Sequence, residues 1–293
     1  MTMTSGQGTI TVGGGAFTYA PHEGWGGGPN GHELGLVSDV ATDSQDRVYI
    51  FNRVPEIAVL VFDREGNFVH SWGQDIFTQP HSIWIDAEDR VYLTDTGDHT
   101  VRCCTTDGEL LRLWGVPGQP GAPGMPFNRP SGAMVGPSGA LYVSDGYGQS
   151  RVHKFAPSGE LLHSWGEPGS GAGQFSLPHS VWVDRDERVF IIDRENHRIQ
   201  IFDSDGQYLT EWGGFSRPQG IFIDASDIVY VVEARPGIQI MTLARDALGG
   251  WTDAGDGPGR FRQFPHSVCV DSRGDIYVGE VTGHKLFQKF VKV

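Results

Sequence analysis

The stretch that decides the fold runs from Pro178 to Gly213 and reads PHSVWVDRDERVFIIDRENHRIQIFDSDGQYLTEWG. It contains four short runs of β-forming residues, and turns rich in Asp, Ser and Gly separate these runs. The same pattern recurs along the chain at Val37–Gly73, Pro80–Gly115 and Pro130–Gly166, and again from Pro218 and from Pro265. A repeat of about 36 residues without helical periodicity indicates a repeat architecture built from β-strands.

The second copy shows how the strands are expected to fall within one repeat. Its predicted strands are Ser82–Ile85, Arg90–Thr94, Thr100–Cys104 and Leu110–Trp114. Four antiparallel strands per repeat are typical of a propeller blade. The sequence therefore predicts an all-β, six-bladed β-propeller that occupies residues 1–293 as a single domain.

The two ends of the chain are expected to close the ring of blades. The sixth copy stops at Val293 after three strands, and Thr9–Tyr19 is predicted to supply its missing fourth strand. Closure removes two exposed sheet edges. A Trp-Gly pair ends four of the copies, and its tryptophans are interpreted as blade packing: Trp72, Trp114, Trp165 and Trp212.

The amino-acid composition indicates which kinds of binding partner the chain is expected to have. The net charge of −14 disfavours nucleic acid and anionic membranes as partners. The sequence has no run of 18 apolar residues, and Met1–Gly15 lacks a signal-peptide pattern, so the chain is expected to be cytoplasmic. Its three cysteines suggest no disulfide framework. The expected ligand is a small molecule or short peptide.

The entry to the innermost strand is where the repeats differ. It reads Pro-His-Ser in the second, fourth and sixth copies, and the histidines are His81, His179 and His266. The other three copies carry Ser38, Ser131 and Gln219 at this position. Alternate blades lie about 120° apart around a six-bladed ring, so the three imidazoles should converge on its axis. Three histidines with a fourth position open are typical of a catalytic zinc site, although another divalent transition metal is compatible with them.

The remaining histidines are interpreted as surface or packing residues that share no repeat position. They are His22, His32, His70, His99, His153, His163, His197 and His284.

The loop after the second strand should border the histidine ring, because neighbouring strands run antiparallel. This loop holds Arg53 in the first blade, Tyr147 in the third and Arg194 in the fourth. Arginine offers a forked, charged donor that suits a carboxylate. A tyrosine beside a metal and guanidinium groups can serve as a general base. These three residues are the predicted catalytic residues.

The chain resembles NHL-repeat propellers, and more closely the peptidyl-α-hydroxyglycine α-amidating lyase family. The resemblance covers about Leu36 to Phe290 and is carried by Val143–Val152 (VSDGYGQSRV), Gly173–Val183 (GQFSLPHSVWV) and Asp193–Phe202 (DRENHRIQIF). It implies zinc ligands at His81, His179 and His266, a catalytic tyrosine at Tyr147 and active-site arginines at Arg53 and Arg194.

The resemblance also implies a calcium ion, held in part by the backbone carbonyls of Val40 and Ile83. The family has an aspartate ligand where this chain has Ser267, and a methionine where it has Phe264. Because Ca²⁺ prefers carboxylate oxygens, the loss of that aspartate argues against calcium. The change at Phe264 predicts a reshaped substrate pocket.

The activity implied by the resemblance is a zinc-dependent carbon–nitrogen lyase, which cleaves a carbinolamide to an amide and an aldehyde. Two alternatives remain open at this stage. One is a metal-dependent hydrolase or lactonase on the same propeller. The other is a non-catalytic NHL-repeat scaffold that binds a protein or RNA.

Overall fold

The repeated strand pattern folds into antiparallel sheets arranged around a central channel. The computed structural model describes residues 10–27, 34–54, 56–235, 237–255, 257–262, 264–282 and 286–293. Within these residues the chain forms six blades, and in the first five the first strand is innermost and the last outermost. The predicted all-β six-bladed propeller with four-stranded blades is therefore confirmed.

The strands of the first three blades follow the predicted repeats closely. Blade one consists of β3 (Val37–Thr42), β4 (Val48–Asn52), β5 (Val59–Phe62) and β6 (Phe68–Trp72). Blade two consists of β7 (Pro80–Ile85), β8 (Val91–Asp95), β9 (Thr100–Cys104) and β10 (Leu110–Trp114). Blade three consists of β11 (Gly132–Val135), β12 (Leu141–Asp145), β13 (Arg151–Phe155) and β14 (Leu161–Trp165).

The second half of the ring continues in the same order. Blade four consists of β17 (Pro178–Val183), β18 (Val189–Asp193), β19 (Arg198–Phe202) and β20 (Tyr208–Trp212). Blade five consists of β21 (Pro218–Ile223), β22 (Ile228–Glu233), β23 (Gly237–Thr242) and β24 (Ala247–Thr252). A short parallel pair precedes blade four and consists of β15 (Glu167–Pro168) and β16 (Gln174–Phe175).

Blade six joins the two ends of the chain. Its inner strands are β25 (Pro265–Val270), β26 (Ile276–Glu280) and β27 (Phe287–Lys292). The N-terminal strands β1 (Val12–Gly14) and β2 (Phe17–Pro21) complete it, and β2 pairs with β27. The predicted closing strand is confirmed, but the segment turns back on itself and adds a fifth strand; Thr9 lies outside the described residues. Contacts between β25 and β3 complete the ring.

The hydrophobic core lies between neighbouring blades. The second and third strands of the blades are largely buried, whereas outer strands such as β10 and β20 are mostly exposed. Trp72 packs against Gly108 of the next blade, and Trp165 packs against Gly206 in the same way. These contacts agree with the interpretation of the Trp-Gly pairs as blade packing.

Two further sequence expectations can be compared with the structure. Cys103, Cys104 and Cys269 are buried and unpaired, as expected of a chain without a disulfide framework. In the described part of the chain, no helix has the length and hydropathy needed to span a bilayer.

An aspartate fixes the first turn of most blades. In blade four, Asp184 Oδ1 accepts the backbone N–H groups of Asp186 at 3.0 Å and Arg188 at 2.8 Å, and Asp184 Oδ2 accepts Arg188 Nε at 2.7 Å. The equivalent aspartates Asp43, Asp86, Asp224 and Asp271 make the same two backbone contacts. A buried carboxylate thus holds the hairpin that joins the first two strands.

We expect Asp184→Ala to lower the free energy of unfolding by about 2–3 kcal/mol, because it leaves backbone and guanidinium donors without their acceptor. The neighbouring Asp186 is a matched control, since its side chain is 69% exposed, and its change to alanine should have little effect. Denaturant unfolding of both variants measures the difference. Equal stability of the two variants would contradict this role of Asp184.

Candidate metal centre

The three Pro-His-Ser motifs lie at an irregularity of the innermost strand. The β-ladder register shifts between Pro80 and Ser82, and the same shift occurs around His179 and His266. An extra residue in one strand leaves the ladder and redirects its side chain. The bulge therefore explains how each histidine leaves the blade and enters the channel, which all three line.

A hydrogen bond to the next blade orients each imidazole. The Nδ1 atoms of His81, His179 and His266 lie 2.6, 2.7 and 2.6 Å from the backbone carbonyl oxygens of Ser131, Gln219 and Ser38, respectively. A carbonyl only accepts, so each Nδ1 carries the proton and donates it. Each Nε2 is therefore left with a free lone pair.

The three rings converge as the sequence predicts. Their centroids are 4.8 to 5.1 Å apart, and the rings lie nearly perpendicular to one another. One ligand atom from each histidine lies within 4.8 Å of the others, and the residues are 2 to 6% exposed. The structure thus brings together side chains that are far apart in sequence.

The chemistry of this set fits a metal cation. Burial, together with the positive charge of nearby groups, lowers the pKa of His81 and His179 well below the usual value and that of His266 to about 3. The imidazoles are therefore neutral at pH 7 and keep their lone pairs. The hydroxyl of Tyr147 has one proton to offer, so at most one of three converging acceptors can receive it. A divalent transition metal would satisfy them all.

Tyr147 reaches the ring from the loop after β12. Its hydroxyl lies 3.1 Å from Nε2 of both His81 and His179. Two glycines flank it: a Cβ on Gly146 would lie 2.0 Å from the carbonyl oxygen of Pro178, and one on Gly148 would lie 2.3 Å from Asn128. Close backbone approach therefore requires glycine on both sides of this tyrosine.

The two predicted arginines also reach this end of the channel. Arg194 Nη1 donates to the Tyr147 hydroxyl at 3.3 Å. Arg53 Nε lies 2.9 Å from Ser38 Oγ and 3.3 Å from the carbonyl oxygen of Pro80. Burial lowers the pKa of Arg53, and only the proximity of Tyr147 opposes this. Among the described residues Arg53 has no carboxylate partner, so it is available to an anionic ligand.

The structure adds a third arginine that the sequence analysis missed. The guanidinium of Arg129 lies 5.7 Å from the Tyr147 ring centroid, compared with 5.6 Å for Arg194. Arg129 has a φ of 65°, and its backbone N–H donates to His99 Nδ1 at 3.0 Å. Arg129 lies two residues before Ser131, which occupies the histidine-ring position in blade three. This closeness in sequence is the signal that could have identified it.

One expectation about the other histidines is wrong. His99 and His197 occupy the same repeat position, with φ of 64° and 58°, and each accepts the backbone N–H that precedes the next blade, from Arg129 and Arg217. They therefore share a repeat position and a structural role as hydrogen-bond acceptors, although His197 is exposed as expected of a surface residue. His32 and His284 lie outside the described residues.

A carboxylate lies one layer below the histidines. Asp39 Oδ1 accepts the backbone N–H of Val40 at 2.8 Å, and its Oδ2 accepts that of Ile83 at 3.0 Å. Burial raises the pKa of Asp39 to about 7, although these bonds and the nearby hydroxyls of Ser82 and Ser267 act in the opposite direction. Val40 and Ile83, whose carbonyls are the predicted calcium ligands, thus both donate their backbone N–H groups to Asp39.

Comparisons with known proteins agree with this fold and site. The NHL repeat matches residues 175–202 and 263–290. Human NHL repeat-containing protein 3 is 32% identical over 273 residues, which cover 86% of this chain and 78% of that protein. A six-bladed NHL-repeat propeller is the class that the blades and repeats define. The chain belongs to the family of NHL repeat-containing proteins that includes this human relative.

Enzymes are among its relatives. Peptidyl-alpha-hydroxyglycine alpha-amidating lyase 1 of Drosophila melanogaster is 29% identical over 232 residues, covering 67% of this chain and 42% of that protein. A solved gluconolactonase structure from Xanthomonas campestris has a TM-score of 0.67 and 15% identity, covering 88% of this chain and 86% of that one. The second likeness shows the shared propeller fold alone.

We expect wild-type protein, purified without added metal, to contain about one transition-metal ion per chain, and His179→Ala to lose most of it, because two imidazoles hold such an ion far less tightly than three. Elemental analysis measures this content. The exposed His22 provides the control, since its change to alanine should leave the content unchanged. Equal metal content in wild type and His179→Ala would argue against the centre.

Proposed function

We propose that the chain is a metal-dependent lyase that cleaves the C–N bond of a carbinolamide, giving an amide and an aldehyde. The observation that carries this proposal is the position of the Tyr147 hydroxyl, 3.1 Å from two imidazole Nε2 atoms and within reach of the Arg194 guanidinium. A proton-transfer group therefore borders the centre where a substrate hydroxyl would lie. The likeness to the Drosophila lyase supports the same reaction.

His81, His179 and His266 would hold the metal, with zinc the favoured ion. When bound, a divalent metal supplies Lewis-acid chemistry to an oxygen ligand. The protein's part is to keep the three imidazoles neutral and fixed through their Nδ1–H bonds to Ser131, Gln219 and Ser38. Such second interactions orient the ligands and strengthen them as donors.

Tyr147 is the proposed base. In its ionised form it takes the proton of the substrate hydroxyl, and the electrons of that O–H bond form the aldehyde C=O bond. The C–N bond then breaks, its electron pair passes to the amide nitrogen, and Tyr147 returns the proton there. This step conserves atoms and electrons, so the reaction needs no redox cofactor. Arg194 stabilises the phenolate by donating to its oxygen.

Arg53 is the proposed anchor of a substrate anion. It is half-buried, its Nε donates to Ser38 Oγ beside the histidine ring, and it has no carboxylate partner among the described residues. Arg129 lies beside the ring of Tyr147 and adds a second positive charge near the histidines. The arrangement supports a carbinolamide that carries a carboxylate, as an α-hydroxyglycine group does.

We expect Tyr147→Phe to lower kcat at least about 100-fold, because it removes the proton-transfer group and leaves the aromatic ring in place. Aldehyde release from an α-hydroxyglycine substrate measures the rate. Tyr208 is a matched control, since it is 38% exposed on an outer strand and its change to phenylalanine should have no effect. Full turnover by Tyr147→Phe would exclude this tyrosine as the base.

We expect Arg53→Ala to lower kcat/KM about 10- to 100-fold for a carbinolamide with a free carboxylate, the loss expected for a charge-assisted hydrogen bond. The same substrate with its carboxylate amidated should respond little, because it has no anion to lose. Arg185→Ala serves as the control, since that side chain is 58% exposed at the first turn of blade four. An equal loss on both substrates would contradict the anchoring role.

A further inference from the structure

Arginine occurs at the same place in two blades of the ring. Arg129 and Arg217 each precede the proline at which a repeat begins, in blade three and in blade five. Both have a left-handed backbone, with φ of 65° and 51°, and each donates its backbone N–H to a histidine of the previous blade at 3.0 Å. This backbone conformation is uncommon for residues other than glycine. The fold therefore holds two arginines in the same geometry, two residues before the ring position.

The two arginines differ in their counter-ions. Arg217 Nη2 donates to Glu195 Oε1 at 2.7 Å. In blade two the residue at the position of Glu195 is Gly97. A Cβ on Gly97 would lie 2.7 Å from Thr78 Cγ2, so close packing disfavours any side chain there. The carboxylate that neutralises Arg217 thus has no counterpart beside Arg129.

The guanidinium of Arg129 is available to a ligand. It is exposed, and within the described residues its N–H groups have no hydrogen-bond acceptor or ion-pair partner. Its Cζ lies 5.7 Å from the ring centroid of Tyr147. A contact with an aromatic face uses none of the five N–H donors of an arginine. Because Tyr147 is the proposed base, these donors lie near the reacting atoms of the substrate.

Arg53 and Arg129 contact different parts of the candidate centre. Arg53 Nε donates to Ser38 Oγ, and the carbonyl of Ser38 accepts from His266, whereas Arg129 lies against Tyr147. In the proposed reaction Tyr147 returns its proton to the amide nitrogen. The amide half of the substrate therefore lies at Tyr147, and the half with the hydroxyl-bearing carbon and its carboxylate lies toward Arg53. Arg129 is thus placed to contact the amide half.

We propose that Arg129 binds a second anionic group on the amide half of the substrate, so that the site selects carbinolamides with two carboxylates. This inference rests on the proposed function and names the substrate class of the same site. N-succinyl-α-hydroxyglycine is an example. Its hydroxyl proton passes to the amide nitrogen as the C–N bond breaks, which gives glyoxylate and the monoamide of succinate. A dianion pairs with both arginines that lack a carboxylate partner in the described part of the chain, whereas a monoanion pairs with one.

The test compares two substrates that differ in one charge: N-succinyl-α-hydroxyglycine and its terminal carboxamide, which has nearly the same size. We expect the metal-loaded wild type to favour the acid about 10-fold in kcat/KM, a smaller effect than that of half-buried Arg53, because solvent and salt screen an exposed charge. Arg129→Gln should remove this preference, and Arg129→Lys should keep most of it. Arg273→Gln is the control, since that arginine is exposed at the first turn of blade six and its loss should leave the preference unchanged.

A binding measurement separates this proposal from the proposed reaction. N-succinylglycine lacks the hydroxyl and cannot react, so calorimetry can compare it with its terminal carboxamide on the same variants. Tighter binding of the acid by wild type, lost in Arg129→Gln, supports the second anion site whether or not aldehyde is released. Equal binding of the two compounds, or binding of neither, would overturn it.

The kinetic outcomes also distinguish the two proposals. Glyoxylate release by wild type at equal rates from the acid and the carboxamide would keep the lyase and overturn the second anion site. An equal loss on both substrates in Arg129→Gln would overturn it as well, because the arginine would then act only through Tyr147. Absence of glyoxylate release, together with selective binding of N-succinylglycine, would reject the lyase and keep the site.

Discussion

The hydrogen bond from each imidazole Nδ1 to a carbonyl of the next blade is the interaction on which the centre depends. It sets the tautomer, aims Nε2 at the axis and ties neighbouring blades together in one contact. His266 and Ser38 are 228 residues apart in sequence, so their bond exists only when the ring is closed. Closure depends in turn on the pairing of β2 with β27. The geometry of the site is therefore a consequence of the completed ring and not of any single blade.

Residues that recur in the repeat stabilise the fold, whereas the position that differs between blades forms the candidate site. The turn aspartates and the Trp-Gly pairs recur in most blades because these blades form the same hairpin and pack on the next blade in the same way. At the ring position the blades alternate instead: even blades provide imidazoles, and odd blades provide the carbonyls that orient them. The bulge at the strand entry that places the imidazoles also occurs in blades five and one, which provide the carbonyls of Gln219 and Ser38. Three candidate metal ligands with near-threefold symmetry thus arise from a sixfold scaffold.

Much of this could be predicted because it follows from periodicity. Strand number, blade order and convergence of His81, His179 and His266 depend only on the spacing of repeats around a ring. The features that were missed depend on side-chain hydrogen bonds, which spacing does not reveal. His99 and His197 act as acceptors only because two left-handed backbone positions bring a neighbouring N–H to them.

The distribution of charge along the channel axis is compatible with the anionic substrate proposed above. The protein carries a net charge of −14, yet Arg53, Arg129, Arg194 and Arg217 gather at one mouth. Glu195 pairs with Arg194 and Arg217, which leaves Arg53 and Arg129 without a carboxylate among the described residues. Local charge in a low-dielectric cleft outweighs distant charge screened by solvent. Below these arginines lie the neutral imidazoles and then the carboxylate of Asp39. This order favours a single orientation of the proposed substrate, with its anion at the mouth and its hydroxyl-bearing carbon at the histidines.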